Sequence, residues 1–552
     1  MSRWGTEFSN PKEPATVDTF LEPHLTDSSS FRATRIHIGP TTASYYDLDW
    51  EPLASLITRL QFLEELDFVM HNQFPSSLQQ IIYERHPYCR VRVWWRQALV
   101  YSLPCLKKKL LATKAGIPDD CDSDINLLHC RGFETIAIYL TQEYDQSRRR
   151  TDVDEMFPFL FAVPSLKHLI LQRDIEPPDR LPLSVIKDEW RKFAAAENPT
   201  PVASLESLTV TLAHESAVLN VARSVDLSCL RSLDILDYKN PTLLAEIARL
   251  FHNLERLYIS PNPGGRMDPI TRTKRHATHF TDDADGITAI QHFAPLKYLW
   301  LRALRSPSGL LQVLEQHGPS LKGLILEPTR QARTSNDGGY KYPELNATQV
   351  EQLCKLCPNL QELRLQIKRL GGRQQECYIY KALGGLPNLH SLILDLHFEP
   401  RPRPLQYTEN IDLAIIKEAL INAATDERLA CDIWDLITSN QPTQHLQNLR
   451  LVPFGRDFFP ADEKYLLSYF CRSYLLRRYN RYSNTFRVEE FGKEAWSAWR
   501  EEHLYIEESK EYHIPERLDT LLHELWPAGP GPDGWASGWT SFPLQTNGAA
   551  SG

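Results

Sequence analysis

Two cysteines stand at a spacing that serves metal or redox chemistry. Cys354 and Cys357 form a Cys-x-x-Cys pair, the arrangement in which two thiolates hold zinc or exchange a disulfide. The sequence contains no second pair of this kind, and Cys357 precedes a proline at the predicted end of a helix. We therefore interpret both cysteines as core residues and keep a metal or redox site as the alternative.

A second group of residues resembles scattered metal ligands. His276 and His279 are followed by Asp282, Asp283 and Asp285. They lie in a long stretch of mixed charge between predicted strands, and such a stretch is typical of a solvated loop. A solvated loop is our interpretation and a metal site the alternative, so the sequence predicts neither a metal nor a cofactor.

Basic and aromatic residues alternate between residues 472 and 487. The stretch RSYLLRRYNRYSNTFR has the composition of a surface on which nucleic-acid bases stack. The tyrosine and phenylalanine spacing also fits the buried face of a helix that covers the end of a repeat array. We interpret the stretch as a cap helix, with a protein-binding edge and a nucleic-acid surface as alternatives.

Motifs of the common enzyme classes are missing. The patterns G-x-S-x-G, H-E-x-x-H, G-x-x-x-x-G-K-[ST] and G-x-G-x-x-G do not occur in the sequence. No cysteine, serine or carboxylate pair has a recognisable activating partner. The sequence therefore predicts a protein that is not an enzyme.

Composition limits the remaining classes. The 552 residues include 61 Lys+Arg and 70 Asp+Glu, a net charge of −9 that excludes a globally basic nucleic-acid binder. A hydrophobic content of 42% with 24% charged residues excludes wholesale disorder. The first residues lack the apolar stretch of a signal peptide, no window is long enough to span a membrane, and cysteines are sparse. We expect an intracellular protein, cytoplasmic or nuclear, without a membrane partner.

One phrase returns throughout the chain: an apolar residue, two variable residues, an apolar residue, one variable residue and a last apolar residue. Successive copies at Leu205, Leu230 and Leu254 are 25 and 24 residues apart, within the range of leucine-rich repeats. The segment Cys89–Trp95 is a degenerate copy. All regular copies begin at Leu63, Phe133, Leu166, Leu205, Leu230, Leu254, Leu296, Leu321, Leu360, Leu389 and Leu446.

The repeated phrase predicts the fold. Its last two apolar residues alternate with one outward residue, as in a strand with one buried face. Stretches with helical spacing, such as 241–253 and 346–359, lie between the copies. We predict an α/β fold in the form of a leucine-rich-repeat solenoid over residues 31–453. Its curved parallel sheet would line the concave side and its helices the convex side.

The rest of the chain is predicted as additions to this solenoid. Residues 1–30 read as a flexible N-terminal arm and 408–437 as one or two extra helices. Residues 454–526 read as a helical, aromatic-rich C-terminal cap, because an open repeat array needs its end covered. Residues 527–552 read as a flexible tail rich in glycine, proline and serine.

The phrases CPNLQELRL, LPNLHSLIL and FHNLERLYI resemble the cysteine-containing leucine-rich repeats of F-box proteins. The chain as a whole resembles the fungal group of F-box or leucine-rich-repeat domain proteins, over about residues 49–451 and more weakly to residue 544. The resemblance implies a receptor that presents a client to a cullin-based ubiquitin ligase, through an adaptor that grips the F-box.

The chain departs from this family at two points. Only three leucines occur in the first 50 residues, and no F-box phrase is recognisable. A truncated receptor and a repeat-only scaffold without a ligase link therefore both stay open. The asparagine ladder of regular leucine-rich repeats is not recognisable either, which predicts irregular turns.

The outward residues of the strands predict where a partner binds. Tryptophan, tyrosine and arginine contribute most to interface energies, and they are frequent in the copies between residues 254 and 365. Either a partner covers Trp300 there, or the insertion 261–288 folds over it; both stay open. The predicted partner-binding residues are Arg256, Tyr258, Tyr298, Trp300, Arg302, Glu327, Glu362 and Arg364.

Overall fold

The computed structural model divides the chain into two units. The first comprises Met1–Leu243 with Leu250–Asn253, and the second comprises Leu244–Arg249 with Leu254–Gly552. The structure describes residues 35–38, 50–60, 62–68, 76–94, 133–140, 166–173, 204–211, 226–235, 241–261, 284–330, 340–399, 411–442, 445–455, 459, 461–478, 485–491, 515–527 and 538–546. The predicted arm 1–30 lies outside these residues, as does most of the insertion 261–288.

The first unit is built on parallel strands that pair in chain order. The apolar positions of the repeated phrase are buried, as at Leu66, Leu169, Leu208 and Leu233, none of which is accessible to solvent. The described strands are β1 (Arg35–Ile38), β2 (Glu65–Phe68), β3 (Arg90–Trp94), β4 (Phe133–Leu140), β5 (His168–Arg173), β6 (Ser207–Thr211) and β7 (Ser232–Ile235), with helices α1 (Glu51–Arg59) and α2 (Ser76–Arg85).

The second unit continues the alternation of strand and helix along the chain. Its parallel strands are β8 (Arg256–Ile259), β9 (Tyr298–Arg302), β10 (Gly323–Glu327), β13 (Glu362–Lys368), β14 (Ser391–His397) and β15 (Asn448–Phe454). A short antiparallel pair, β11 (Thr329–Arg330) and β12 (Tyr340–Lys341), follows β10. Helices α3 (Pro241–Ala248), α4 (Ala284–Ile290), α5 (Pro307–His317), α6 (Ala347–Leu356) and α7 (Gln374–Leu383) lie between strands in the chain. The predicted α/β class with a parallel sheet is confirmed.

A row of leucines crosses the parallel strands of the second unit at one register position. These leucines pair from strand to strand, and each is at most 2% exposed. Each fills the same layer of the core, where truncation of a leucine to alanine costs about 2–5 kcal/mol. The row consists of Leu257, Leu299, Leu324, Leu363, Leu392 and Leu449.

Side chains before the first leucine of a repeat bond to the preceding repeat. The Asn359 amide donates to the Pro319 carbonyl at 2.9 Å, and the Asn388 amide donates to the Pro358 carbonyl at 3.0 Å. The Ser320 hydroxyl donates to the Leu296 carbonyl at 2.7 Å in the same way. Asparagine and serine side chains therefore link neighbouring repeats at the entrance of these strands.

Helix starts follow local sequence. Helix α6 begins with a capping box in which the Asn346 side chain accepts from the Gln349 N–H and the Gln349 side chain accepts from the Asn346 N–H, both at 3.0 Å. Two N–H groups that lack intrahelical partners are satisfied in this way. The predicted extra helices are present as α8 (Leu413–Ala423) and α9 (Glu427–Thr438), and Asp426 caps α9.

The predicted helical cap is wrong for the basic and aromatic stretch. Helices α10 (Ala461–Phe470) and α11 (Glu516–Leu525) are present. Between them, however, β16 (Ser473–Arg478) pairs antiparallel with β15, and β17 (Phe486–Phe491) pairs antiparallel with β16. The N–H and C=O groups along the edge of β15 need partners, and this long-range pairing overrides the local helical spacing.

The predicted flexible tail is wrong for residues 538–546. In these residues Ser541 is 6% exposed, and Trp539 and Phe542 pack on the core of α8, α10 and α11. Composition alone had suggested a loose segment. Among the described helices, none is long and apolar enough to cross a membrane.

Candidate interaction surface

All eight predicted partner-binding residues lie on the same face of the parallel sheet in the second unit. We call this the outward face; it lies opposite the leucine row. Register pairs Arg256 with Tyr298, Tyr258 with Trp300, and Arg302 with Glu327. Glu362 and Arg364 follow at the same levels on β13, beside Gly323 and Ile325. Arg256 and Glu362 are exposed and the other six are half-buried.

The aromatic residues of the outward face stack on one another. The rings of Tyr258 and Trp300 lie 4.2 Å apart at an interplanar angle of 22°. The Arg256 guanidinium carbon lies 4.9 Å from the centre of the Tyr298 ring. A Cβ at Gly323 would come within 2.6 Å of a Tyr298 ring carbon, so this glycine makes room for the ring. These planar groups are thus held in place by contacts within the chain.

Trp300 is half-buried, and its indole nitrogen makes no hydrogen bond although it is shielded from solvent. Stacking on Tyr258 accounts for part of this burial. Residues 262–283 of the insertion lie outside the described residues, so the alternative in which the insertion covers Trp300 stays open.

Charged groups continue the outward face toward β14. The Tyr258 hydroxyl donates to Glu327 Oε2 at 2.8 Å. The Arg364 guanidinium donates to both carboxylate oxygens of Asp395, with Nε–Oδ2 at 2.8 Å and Nη2–Oδ1 at 3.2 Å. The Gln366 amide donates to Asp395 Oδ2 at 2.8 Å. The orientation of Arg364 is therefore fixed by a buried carboxylate from the neighbouring strand.

Asp395 is the most buried charged group of this network, at 2% exposure. Burial raises the pKa of Asp395, and the charge and hydrogen bonds of Arg364 offset only part of that increase. The same burial acts on Arg364, but the nearby carboxylates outweigh it and the pKa of Arg364 is raised. The pair therefore positions the guanidinium and does not provide a proton donor.

Asp395 and Gln366 were not predicted because the repeated phrase ends one residue before each of them. The alternation continues beyond that residue, so Gln366 and Asp395 belong to the outward face as Arg364 does. Arg450 on β15 extends the face in the same register as Ile393 and lies 4.1 Å over the Phe491 ring. Polar residues that continue the period of two were the available signal.

The end of β14 is covered by another part of the chain. Tyr342, just after β12, places its hydroxyl 2.7 Å from His397 Nδ1, and His397 Nε2 lies 3.4 Å from Glu399 Oε2. Tyr342 is 4% exposed, His397 is inaccessible and Glu399 is 3% exposed. The insertion between β10 and α6 therefore closes this end of the outward face.

The Cys-x-x-Cys pair lies in a core environment. Cys357 is inaccessible to solvent, and the Cys354 thiol lies 3.4 Å from the Ala382 carbonyl. Burial raises the pKa of each thiol to about 12, which disfavours the thiolate that both zinc binding and redox exchange need. Groups of three or more histidine, cysteine or acidic side chains able to hold a metal do not occur among the described residues. His276, His279, Asp282 and Asp283 lie outside them.

Three arginines of the stretch 472–487 contact aromatic rings or a carboxylate of the same chain. The Arg478 guanidinium lies 5.5 Å over Trp434, and Arg472 lies 4.9 Å over Trp539. Arg487 forms an exposed ion pair with Glu489 at 2.8 Å. Arg477 is exposed, while Tyr479 and Tyr482 lie outside the described residues. In the described part of the stretch, β16 and β17 therefore pair antiparallel, and Arg472, Arg478 and Arg487 contact groups of the same chain.

Comparisons with known proteins add no relative. No protein-family model matches the chain, and no curated protein matches it. The resemblance to F-box and leucine-rich-repeat proteins therefore rests on the repeat phrases themselves.

Proposed function

We propose that the chain is a protein-protein interaction module that binds its partner across the outward face of the second unit. In this proposal the strands and helices form a leucine-rich-repeat solenoid with the outward face on its concave side. The observation that carries it is the prearranged set of stacked aromatic rings and a fixed arginine, Tyr258 on β8, Trp300 on β9 and Arg364 on β13. Such residues form the centres of protein interfaces.

By family resemblance, the module acts as an F-box-type substrate receptor for a cullin-based ubiquitin ligase. The alternative is a repeat-only scaffold without a link to a ligase. Both versions use the same outward face, and they differ only in whether a ligase adaptor binds the chain.

The test is affinity purification of the full chain followed by mass spectrometry, with wild type beside a Trp300→Ala/Arg302→Ala variant. We expect the variant to lose the partner that wild type recovers, because ring stacking and a guanidinium contact are removed together. A matched control is Tyr378→Ala/Lys381→Ala on α7, where an exposed tyrosine lies 5.8 Å from a lysine ammonium away from the outward face.

Three outcomes separate the versions. Equal loss in the control variant, or no loss in either, would contradict binding at the outward face. Recovery of the partner together with an adaptor and a cullin supports the receptor. Recovery of the partner with neither of them contradicts the receptor and leaves the interaction module.

A further inference from the structure

The last described segment, residues 538–546, is bound to three separate elements by hydrogen bonds. We call this segment the strap. The Trp526 indole at the end of α11 donates to the Thr540 carbonyl at 2.8 Å. The Ser541 N–H and hydroxyl both donate to the carboxylate of Asp426, at 2.8 and 2.6 Å. The Gln545 N–H donates to the Gly372 carbonyl at 2.7 Å.

Aromatic side chains of the strap enter an aromatic cleft. The Trp539 ring lies 5.1 Å from Phe470 at 85°, and the Phe542 ring lies 5.8 Å from Trp526. Phe470 and Trp526 stack on each other at 4.6 Å and form the floor of the cleft. Edge-to-face and stacked contacts of this kind add to the energy of burial.

Two residues of the body are shaped to the strap. Asp426 accepts from the Leu429 N–H to cap α9, and the same carboxylate holds Ser541. Gly372 has φ +75°, and a Cβ there would lie 2.5 Å from the Pro543 carbonyl oxygen. Gly371 also has a positive φ, +65°, but the nearest atom to a Cβ there is a flexible methyl of Ile421 at 3.3 Å. Only Gly372 is required for close approach of the strap.

This combination is that of a protein holding a short peptide segment. Hydrogen bonds of the backbone fix the path of the segment, while the side chains of Trp539, Ser541 and Phe542 contact the body. Strap residues 538–546 bond to the described body through hydrogen bonds and ring contacts at both ends and in the middle.

We propose that the cleft formed by Asp426, Phe470, Trp526 and Gly372 is a peptide-binding site that holds the chain's own strap as its ligand. The ligand class is a short peptide with an aromatic residue two positions before a serine, a second aromatic residue directly after that serine, and then proline. A second molecule of the same peptide, supplied separately, exchanges with the strap. This site is distinct from the outward face and does not depend on the proposed function.

The test uses the full chain with a specific protease sequence inserted between Asp533 and Gly534 and cleaved after folding. A fluorescent peptide with the sequence of residues 534–552 is then added, and the bound peptide is measured by size-exclusion chromatography and fluorescence anisotropy. We expect the cleaved fragment to stay bound and then to be replaced by the labelled peptide. Immediate dissociation without uptake of the label, failure to exchange, or loss of the folded protein on cleavage would each overturn the proposal.

Matched variants locate the binding. Gly372→Ala is expected to weaken peptide binding by about tenfold or more, because the new Cβ displaces the Pro543 carbonyl, whereas Gly371→Ala carries similar backbone strain and is expected to stay within about twofold. A peptide carrying Trp539→Ala is expected to bind about tenfold more weakly than the unaltered peptide. Equal binding in all three cases would show that the peptide binds elsewhere.

Discussion

At the scale of residues, the outward face depends on a buried carboxylate that never reaches solvent. Asp395 fixes the guanidinium of Arg364, and Gln366 fixes Asp395 in turn. Because a buried pair is costly to form and more costly to break, the two partners should respond differently to substitution. Arg364, with 32% of its side chain exposed, can be hydrated when it loses Asp395, whereas Asp395 cannot be hydrated when it loses Arg364.

We expect Arg364→Ala to lower the free energy of unfolding by about 3–5 kcal/mol, since it leaves a buried charge unpaired. Asp395→Asn keeps the shape and a hydrogen-bond acceptor, and should cost about 1 kcal/mol. Urea denaturation at neutral pH measures both. The penalty of Arg364→Ala should shrink as the pH falls, because Asp395 can then take up a proton. A larger loss for Asp395→Asn than for Arg364→Ala would contradict this account.

Two aspartates of the first unit should respond to pH in opposite directions. Burial raises the pKa of Asp234 to about 6, although a hydrogen bond from Thr209 opposes the increase. The folded state then binds a proton more readily than the unfolded chain between about pH 4 and 6, so stability falls as the pH rises through this window. Hydrogen bonds from Ser228 lower the pKa of Asp226, so its contribution is present above about pH 4 and lost on acidification.

Asp234→Asn should therefore raise the melting temperature at pH 8, by a gain on the order of 1 kcal/mol, and this gain should vanish toward pH 4. The amide keeps an acceptor for the Thr209 hydroxyl, which lies 3.0 Å from the carboxylate. Asp226→Asn serves as the control with the opposite sign, since it should lower the melting temperature at pH 8. Thermal melts at pH 4 and pH 8 measure both variants. A gain for Asp234→Asn that does not depend on pH would contradict a raised pKa of Asp234.

At the scale of elements, asparagine side chains link neighbouring repeats through the hydrogen bonds of Asn359 and Asn388. Asn359→Ala and Asn388→Ala should each lower the free energy of unfolding by about 0.5–1.5 kcal/mol, the net value of one hydrogen bond. Asn359→Asp should cost more than Asn359→Ala, because it places a carboxylate against the Pro319 carbonyl oxygen. Equal stability of Asn359→Asp and wild type, measured by chemical denaturation, would show that the bond does not form in solution.

The strands of the repeats could be predicted because each requires the same buried leucines. A period of two with leucine at fixed positions has one solution, and the outward register of Tyr258, Trp300 and Arg364 follows from it directly. The strands β16 and β17 could not be predicted in this way. Their apolar run YLL fits a helix as well as a strand, and only the open edge of β15 decides between them. The conformation of this run is therefore set by tertiary pairing, which no local sequence pattern indicates.

The strap was missed for a related reason. The glycines and prolines of residues 527–552 are typical of turns, and that composition favoured a flexible tail. The signal against that reading was the pair of large aromatic residues, Trp539 and Phe542, which a flexible tail does not need. Likewise, Asp395 lies directly after Leu394, the last apolar residue of the repeated phrase, so the phrase does not indicate that Asp395 is buried.

At the scale of the whole molecule, the net charge and the charge of the outward face differ in sign. The chain carries a net charge of −9. The outward face carries arginines at 256, 302, 364 and 450 against the carboxylates of Glu327, Glu362 and Asp395, four positive charges against three negative, and Asp395 is paired with Arg364. The positive charge of this face attracts an acidic partner, while the net negative charge of the chain repels that partner elsewhere. If the proposed function holds, association should therefore be sensitive to salt.

We expect the partner recovered with the full chain to associate more slowly as ionic strength rises from about 0.05 to 0.5 M, because screening shortens the range of the attraction. Arg256→Glu/Arg302→Glu should lower the association rate by about tenfold or more at low salt and flatten its salt dependence. The charge-matched control is Lys355→Glu/Lys322→Glu, which changes the net charge equally with exposed lysines outside the outward face's arginine set. Surface plasmon resonance separates the rates. If both double variants slow association equally, net charge alone steers the partner, and the outward face has no special part in the encounter.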